Sequence, residues 1–278
     1  MSKVTIVGSG FIGRAWAITF ARAGCPVTLW DREPGVADKA VEYIRGVLPD
    51  LEANDLLRGR SRSEVLANLK VSDDLQTALS EANYVQENTP ENVEIKKSIF
   101  AELDKIAPPS AILASSTSAI LPSAFTEELE GRQRCLVVHP INPPYLIPAA
   151  EVVPAPWTAP ETIERSRALL TDVGQAPLVM KRELDGFIMN RMQGALLEEA
   201  FRLVAEGYAT VDDIDIGLRD GLALRWSFMG PFETIDLNAP AGIRDYAERY
   251  EGIYSNIFEK TQHRVEWTGP VMDEIEKQ

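Results

Sequence analysis

Cysteine and histidine are nearly missing from this chain, with two of each in 278 residues. Two thiols, Cys25 and Cys135, cannot build a disulfide framework in a chain this size. Small disulfide-stapled secreted domains are thereby excluded, and reduced structural thiols of a cytoplasmic protein are expected. Basic residues are also short: 28 Lys and Arg stand against 42 Asp and Glu, a formal charge of −14. That balance speaks against nucleic acid and anionic membranes as partners, so an anionic substrate needs a local cationic pocket. No stretch approaches the ~20 apolar residues of a membrane span. The opening MSKVTIVGSGFIG breaks its apolar run with glycine and does not read as a signal peptide.

Hydrophobic residues make up 45% and charged ones 25%, enough to fill the core of one large domain or two ordinary ones. Apolar, β-branched runs at 3–8, 26–31, 69–72, 84–87, 111–115 and 135–139 read as strands. Helical spacing at 12–24, 36–48 and 159–173, with a further run at 176–180, completes an alternation. Near-continuous apolar strands with helices between them predict an α/β domain, a Rossmann-type doubly wound, mostly parallel sheet covered on both faces. After Lys181 the pattern changes. Residues 187–205 read as one long helix, apolar around most of its circumference and so expected to be buried from several sides, and no comparable strand pattern follows. The charges and glycine of 182–186 predict a boundary, with one domain over 1–184 and an all-α domain over 185–278.

Gly8-Ser9-Gly10-Phe11-Ile12-Gly13 follows a predicted strand, opens a predicted helix and precedes a second strand that ends in Asp31, eighteen residues past Gly13. That context is a dinucleotide site. Gly8 permits the tight turn, Gly10 lets a pyrophosphate approach the backbone, and Gly13 lets helix and strand pack closely. The helix start offers N–H groups and a partial positive charge to phosphate. Asp31 accepts from ribose hydroxyls and repels a 2′-phosphate, so NAD is preferred over NADP, with Arg32 beside it as the contrary signal.

His139 ends a predicted strand, where ligands of doubly wound sheets bind, and imidazole suits proton transfer near neutral pH. Asn142 and three prolines follow it. Glu151 stands among alanines and valines, where a charge is costly without a partner; an imidazolium at His139 would supply one, with Glu151 orienting the ring. A satisfied core histidine is the plainer alternative. His263, in a polar segment, reads as a surface residue.

Taken together, these residues resemble the 3-hydroxyacyl-CoA dehydrogenase superfamily, and more narrowly its lambda-crystallin branch with L-gulonate 3-dehydrogenase activity. The motifs are GSGFIG at 8–13, SSTSAILPS at 115–123, HPINPPYLIPAAEVVP at 139–154, GFIMNR at 186–191 and LRWSFMGPFE at 224–233. The resemblance implies an NAD-binding sheet domain and a helical domain that forms a homodimer, with no metal. It implies His139 as general base, Glu151 as its orienting partner, and Ser118 and Asn190 as residues that hold the reacting oxygen of the substrate. It also implies Glu91, Lys96, Ser118 and Asn142 as cofactor contacts. From the residues alone, Glu91 and Lys96 read as a helix-start charge pair and Ser118 as a turn residue.

The substrate class turns on two local features. Where acyl-CoA members carry a lysine-rich tract, residues 47–55 hold Asp50, Glu52 and Asp55 and no base, a surface that repels a polyphosphate. Arg225 stands where those members lack an arginine, and a guanidinium is a natural receptor for a free carboxylate. A small free 3-hydroxy acid, L-gulonate or an analogue, is therefore favoured over L-carnitine, whose cation would want an aromatic cage, and over an acyl-CoA thioester. Trp226, Phe228 and Tyr145 are the candidate cage residues, and Tyr145 could instead lend its hydroxyl to a sugar-acid pocket. The chain ends at Gln278, earlier than in the lambda-crystallin branch, so the dimer interface or a lid is expected to differ.

Overall fold

The computed structural model describes residues 1–261 and 263–278, in two compact units, Met1–Met189 and Asn190–Gln278. The first holds eight strands: β1 (Val4–Val7), β2 (Val27–Trp30), β3 (Leu69–Val71), β4 (Tyr84–Glu87), β5 (Ile112–Ser115), β6 (Cys135–Pro140), β7 (Ala149–Pro154) and β8 (Ala176–Val179). Their spatial order is β3-β2-β1-β4-β5-β6-β7-β8. All neighbours from β3 to β6 pair in parallel, whereas β7 runs antiparallel to β6 and β8 follows β7 in parallel. The doubly wound expectation therefore holds, with one strand unforeseen. Only residues 141–148 separate β6 from β7, too few for the crossover of a dozen or so residues that a parallel return demands. β7 must come back antiparallel.

Helix α1 (Phe11–Arg22) and helix α2 (Val36–Ala53) cover one face. Trp16 and Phe20, one turn apart on α1, are fully buried and stack at 5.4 Å between centroids. They share a core with Ile44 and Leu48 of α2 and with Tyr84. On the other face Phe100, Leu103 and Phe125 pack with Phe187. The helix expected over 36–48 continues through Pro49 to Ala53, because Leu48 and Leu51 carry the buried stripe across the proline, and packing outweighs the lost N–H.

The second unit is helical among its described residues, with helices Met189–Ala205 and Ile243–Lys260 the longest. Two corrections concern the first of these. It begins two residues later than expected, because Gly186 and Phe187 both take left-handed φ, +75° and +50°. Its burial from several sides is also not met within the chain: only Arg202 and Val204 are buried, and Met192 and Leu196 are exposed. Within the unit, Phe201 stacks on Trp267 at 4.6 Å and Glu198 accepts from the Trp267 indole at 3.0 Å. His263 is exposed, as expected, and meets Glu206 at 2.7 Å. No described helix is long and apolar enough to cross a membrane.

Candidate active site

Strand register builds the site. Trp30, Val7, Glu87, Ser115 and Val137 form one continuous row of paired residues across β2, β1, β4, β5 and β6. The residues just past that row all emerge at the carboxyl edge of the sheet. They include Asp31, Gly8, Asn88 and Ser116, with His139 two positions beyond Val137. Ligands of doubly wound sheets gather at this edge.

The glycine loop is tight where the sequence requires it. Gly8 has φ +87°, and a Cβ there would lie 2.9 Å from the Asn88 carbonyl carbon. At Gly13 a Cβ would meet the Gly8 oxygen at 1.9 Å, whereas Gly10 faces open space. An open backbone at Gly10 beside the start of α1 fits a dinucleotide pyrophosphate. Asp31 holds the loop by accepting from the Ser9 N–H at 2.7 Å, and its other oxygen accepts from Glu33 N–H at 3.0 Å. Arg32 is engaged with Glu102 at 3.1 Å, so its charge is already matched by a carboxylate.

Below the loop lies a buried polar network. Ser116 Oγ accepts from the Trp16 indole (3.0 Å) and from the Gln86 amide (2.7 Å), and donates to Asn88 Oδ1 (2.7 Å). The same amide reaches the Val138 carbonyl at 3.3 Å. One side chain thus ties the residue before His139 to the end of β5.

Glu91 and Lys96 meet at 3.8 Å, the helix-start pair that spacing alone suggested, but each is also engaged elsewhere. Glu91 Oε1 accepts from Thr117 Oγ1 (2.5 Å), Ser118 N–H (3.0 Å) and Ala119 N–H (3.2 Å), clasping the loop that carries Ser118. Lys96 is 1% exposed, and its ammonium lies 3.1 Å from both oxygens of Glu87 and 3.8 Å from Glu91. Glu87, fully buried, also accepts from Thr89 and Ser115. Sequence reasoning missed Glu87. The signal was available: an acid closing an apolar strand, nine residues before a lysine, poses the same burial problem as Glu151. Ile12, Asn88, Thr89, Glu91, Lys96 and Ser118 line a cleft of about 220 Å³ beside the glycine loop. Asn142 is exposed on the loop after β6.

His139 and Glu151 are direct cross-strand partners on β6 and β7, His139 nearly and Glu151 completely buried. Glu151 Oε2 meets His139 Nδ1 at 2.8 Å. Its other oxygen accepts from the Ile188 and Met189 N–H groups at 2.7 and 2.9 Å. The left-handed turn at Gly186-Phe187 immediately precedes those two N–H groups, and a left-handed phenylalanine is a costly conformation of the kind functional sites retain. The Phe187 ring lies 5.5 Å from the imidazole. Burial by itself would raise the Glu151 carboxyl, but the bond with His139 and the two backbone donors outweigh it and hold the group below its ordinary value. With Nδ1 committed to this carboxylate, Nε2 is the nitrogen left for proton exchange.

Asn190 is the second residue of helix Met189–Ala205, and Arg225 lies in helix Ala223–Trp226, both in the second unit. Arg225 is partly exposed, and its buried Nε has no hydrogen-bond partner among the described residues.

Comparison with known proteins agrees in both units. The family model described as 3-hydroxyacyl-CoA dehydrogenase, NAD binding domain, matches residues 3–183, and its C-terminal domain counterpart matches 186–267. The chain is 46% identical to a lambda-crystallin homolog of Bos taurus, over 89% of this chain and 77% of that protein. It is 38% identical to an L-carnitine dehydrogenase of a Pseudomonas species, over 88% and 75%. Among solved structures, 5-formyl-3-hydroxy-2-methylpyridine 4-carboxylic acid 5-dehydrogenase, an NAD-dependent dismutase, superposes with a TM-score of 0.83 at 27% identity, covering 97% of this chain and 84% of that one. With two matched domains and a glycine loop shaped for a dinucleotide, this chain belongs to the 3-hydroxyacyl-CoA dehydrogenase family of NAD-dependent oxidoreductases.

Proposed function

We propose that the substrate is a small free 3-hydroxy acid, L-gulonate or a close analogue, and that His139 and Glu151 form its acid–base pair. His139 Nε2 removes the proton of the 3-hydroxyl as the C3 hydrogen departs with its electron pair, and returns it in the reductive direction. Bound NAD supplies the hydride acceptor. Glu151 fixes the tautomer and balances the imidazolium that forms, and Ser118 and Asn190 hold the developing carbonyl oxygen. Gly8, Ser9, Gly10, Phe11, Ile12, Gly13 and Asp31 hold the cofactor, with Glu91 and Lys96 as further contacts and Ser118 and Asn142 on its nicotinamide side.

The observation that carries the substrate class is Arg225. Arg134 and Arg202 each meet a carboxylate of this chain; Arg225 meets none among the described residues and leaves its guanidinium for a ligand. Asp50, Glu52 and Asp55 are exposed at the end of α2, and among the described residues only Glu52 is matched by a cation, Arg62 at 2.8 Å. That surface disfavours a CoA phosphate tail. The relatives that are L-carnitine dehydrogenases favour a second reading, in which Trp226 and Phe228 beside Arg225 receive a quaternary ammonium. The exposed apolar side chains of helices Met189–Ala205 and Ile243–Lys260 support a homodimer through the helical unit. Arg225→Ala should raise KM for the free acid by about 10²-fold, the loss of a charge-assisted contact, while NADH affinity stays within two-fold. An unchanged KM removes Arg225 from the site.

A further inference from the structure

Arg14 is a cation in an electrostatically unfavourable place. It lies in the first turn of α1, where its own N–H donates to Gly10 at 3.0 Å, and that turn holds no acid. The start of a helix carries a partial positive charge and is stabilised by anions, not by arginine. Arg32, Arg62, Arg134 and Arg202 each meet a carboxylate, but Arg14 meets none among the described residues of a chain with fourteen more acidic than basic side chains.

The side chain is nonetheless held. Its guanidinium carbon lies 3.6 Å from the Tyr43 ring centroid and 5.2 Å from that of Phe11, the exposed fourth residue of the glycine motif. Tyr145, on the loop that follows β6, stands beside Tyr43; burial, then the Tyr43 hydroxyl, raises its phenol above the ordinary value. Three segments of the first unit thus converge on one guanidinium: α1, α2 and the loop after His139. Stacking on tyrosine fixes the plane of an arginine but leaves its N–H groups directed at whatever lies along the edge.

We infer that Arg14 is an oxyanion receptor for the pyrophosphate of the dinucleotide, completing with a side chain the seat that the glycine loop builds from backbone. An anion there meets the helix start and the guanidinium together, and the misplaced charge becomes matched. The inference rests on the cofactor, not on the substrate class, so a wrong substrate leaves it standing.

The test is equilibrium binding of ADP-ribose and NADH to the full chain by calorimetry, for wild type, Arg14→Gln, Arg14→Lys and Tyr43→Ala, with melting curves for each. Arg14→Gln should weaken both ligands about ten-fold, as expected for one charge-assisted contact. It should also flatten the loss of affinity with added KCl, since one fewer charge is screened. Arg14→Lys should fall between, and Tyr43→Ala, which keeps the charge but frees it, should weaken both about three-fold. Wild-type affinity and salt slope in folded Arg14→Gln would overturn the inference. A raised substrate KM with unchanged ADP-ribose affinity would overturn it too, by moving the contact to the substrate.

Discussion

Replacing Glu151 by glutamine changes one carboxylate oxygen into an amide nitrogen, and the surrounding donors decide which one. One oxygen faces Nδ1 of His139 at 2.8 Å, and the other accepts from two backbone N–H groups. Two donors already point at Oε1, so the amide oxygen of glutamine must stay there and its NH₂ must face the imidazole. Nδ1 then becomes an acceptor, the ring proton moves to Nε2, and the proposed base is blocked. The countercharge for the imidazolium is lost as well. Two charges about 4 Å apart interact by roughly 4 kcal/mol at an effective dielectric of 20, which corresponds to about 10³-fold in rate. Initial rates of NADH formation at 340 nm should show kcat/KM reduced by about 10²–10³-fold, with NADH affinity from fluorescence titration unchanged. The substitution has a second readout. The folded protein holds the Glu151 carboxyl below its ordinary value, so it binds this proton less readily than the unfolded chain. The stabilisation is complete above the unfolded carboxyl pKa of about 4.3 and is lost as pH falls through the folded value. The glutamine variant should therefore show a flatter acid limb in its melting temperature. A kcat/KM within five-fold of wild type, with an unaltered acid limb, would refute both the tautomer and the charge-balance argument.

Two further outcomes concern buried groups. Glu87→Ala strands the Lys96 ammonium, whose next carboxylate is Glu91 at 3.8 Å, and should cost about 3–5 kcal/mol, roughly 10 °C in Tm; adding Lys96→Met should recover part of that, and strictly additive losses would show the pair to be uncoupled. Burial pushes the Cys135 thiol up to about 12 and raises Cys25 as well, so neither should react with Ellman's reagent at pH 8 until urea unfolds the chain; rapid labelling of the native protein would contradict the burial of both.

Much of the first unit was legible because its rules are local. Apolar, β-branched runs marked β1 to β6, and the glycine spacing with Asp31 marked the dinucleotide loop. His139 and Glu151 were paired on chemistry alone, since a buried acid needs a partner. What the chain does not display locally is register. That Glu151 lies directly across from His139 depends on the antiparallel return of β7, and that return depends on the shortness of residues 141–148. Glu87 was passed over for the same reason: its partners Lys96, Thr89 and Ser115 converge only once β4, β5 and helix Val93–Ile106 are placed. The left-handed Phe187 left no signal of its own, because nothing in the identity of a phenylalanine announces positive φ; only Gly186 before it hinted at a turn.

The most direct test is initial-rate NAD reduction by the wild-type chain with L-gulonate, L-3-hydroxybutyrate, L-carnitine and L-3-hydroxybutyryl-CoA, each across a full concentration range. The highest kcat/KM is expected on L-gulonate or L-3-hydroxybutyrate, with at least ten-fold less on the CoA thioester, the margin of about 1.4 kcal/mol that one unfavourable charge contact supplies. A clear preference for the thioester would contradict this, and would mean that neither the acidic end of α2 nor Arg225 selects the substrate.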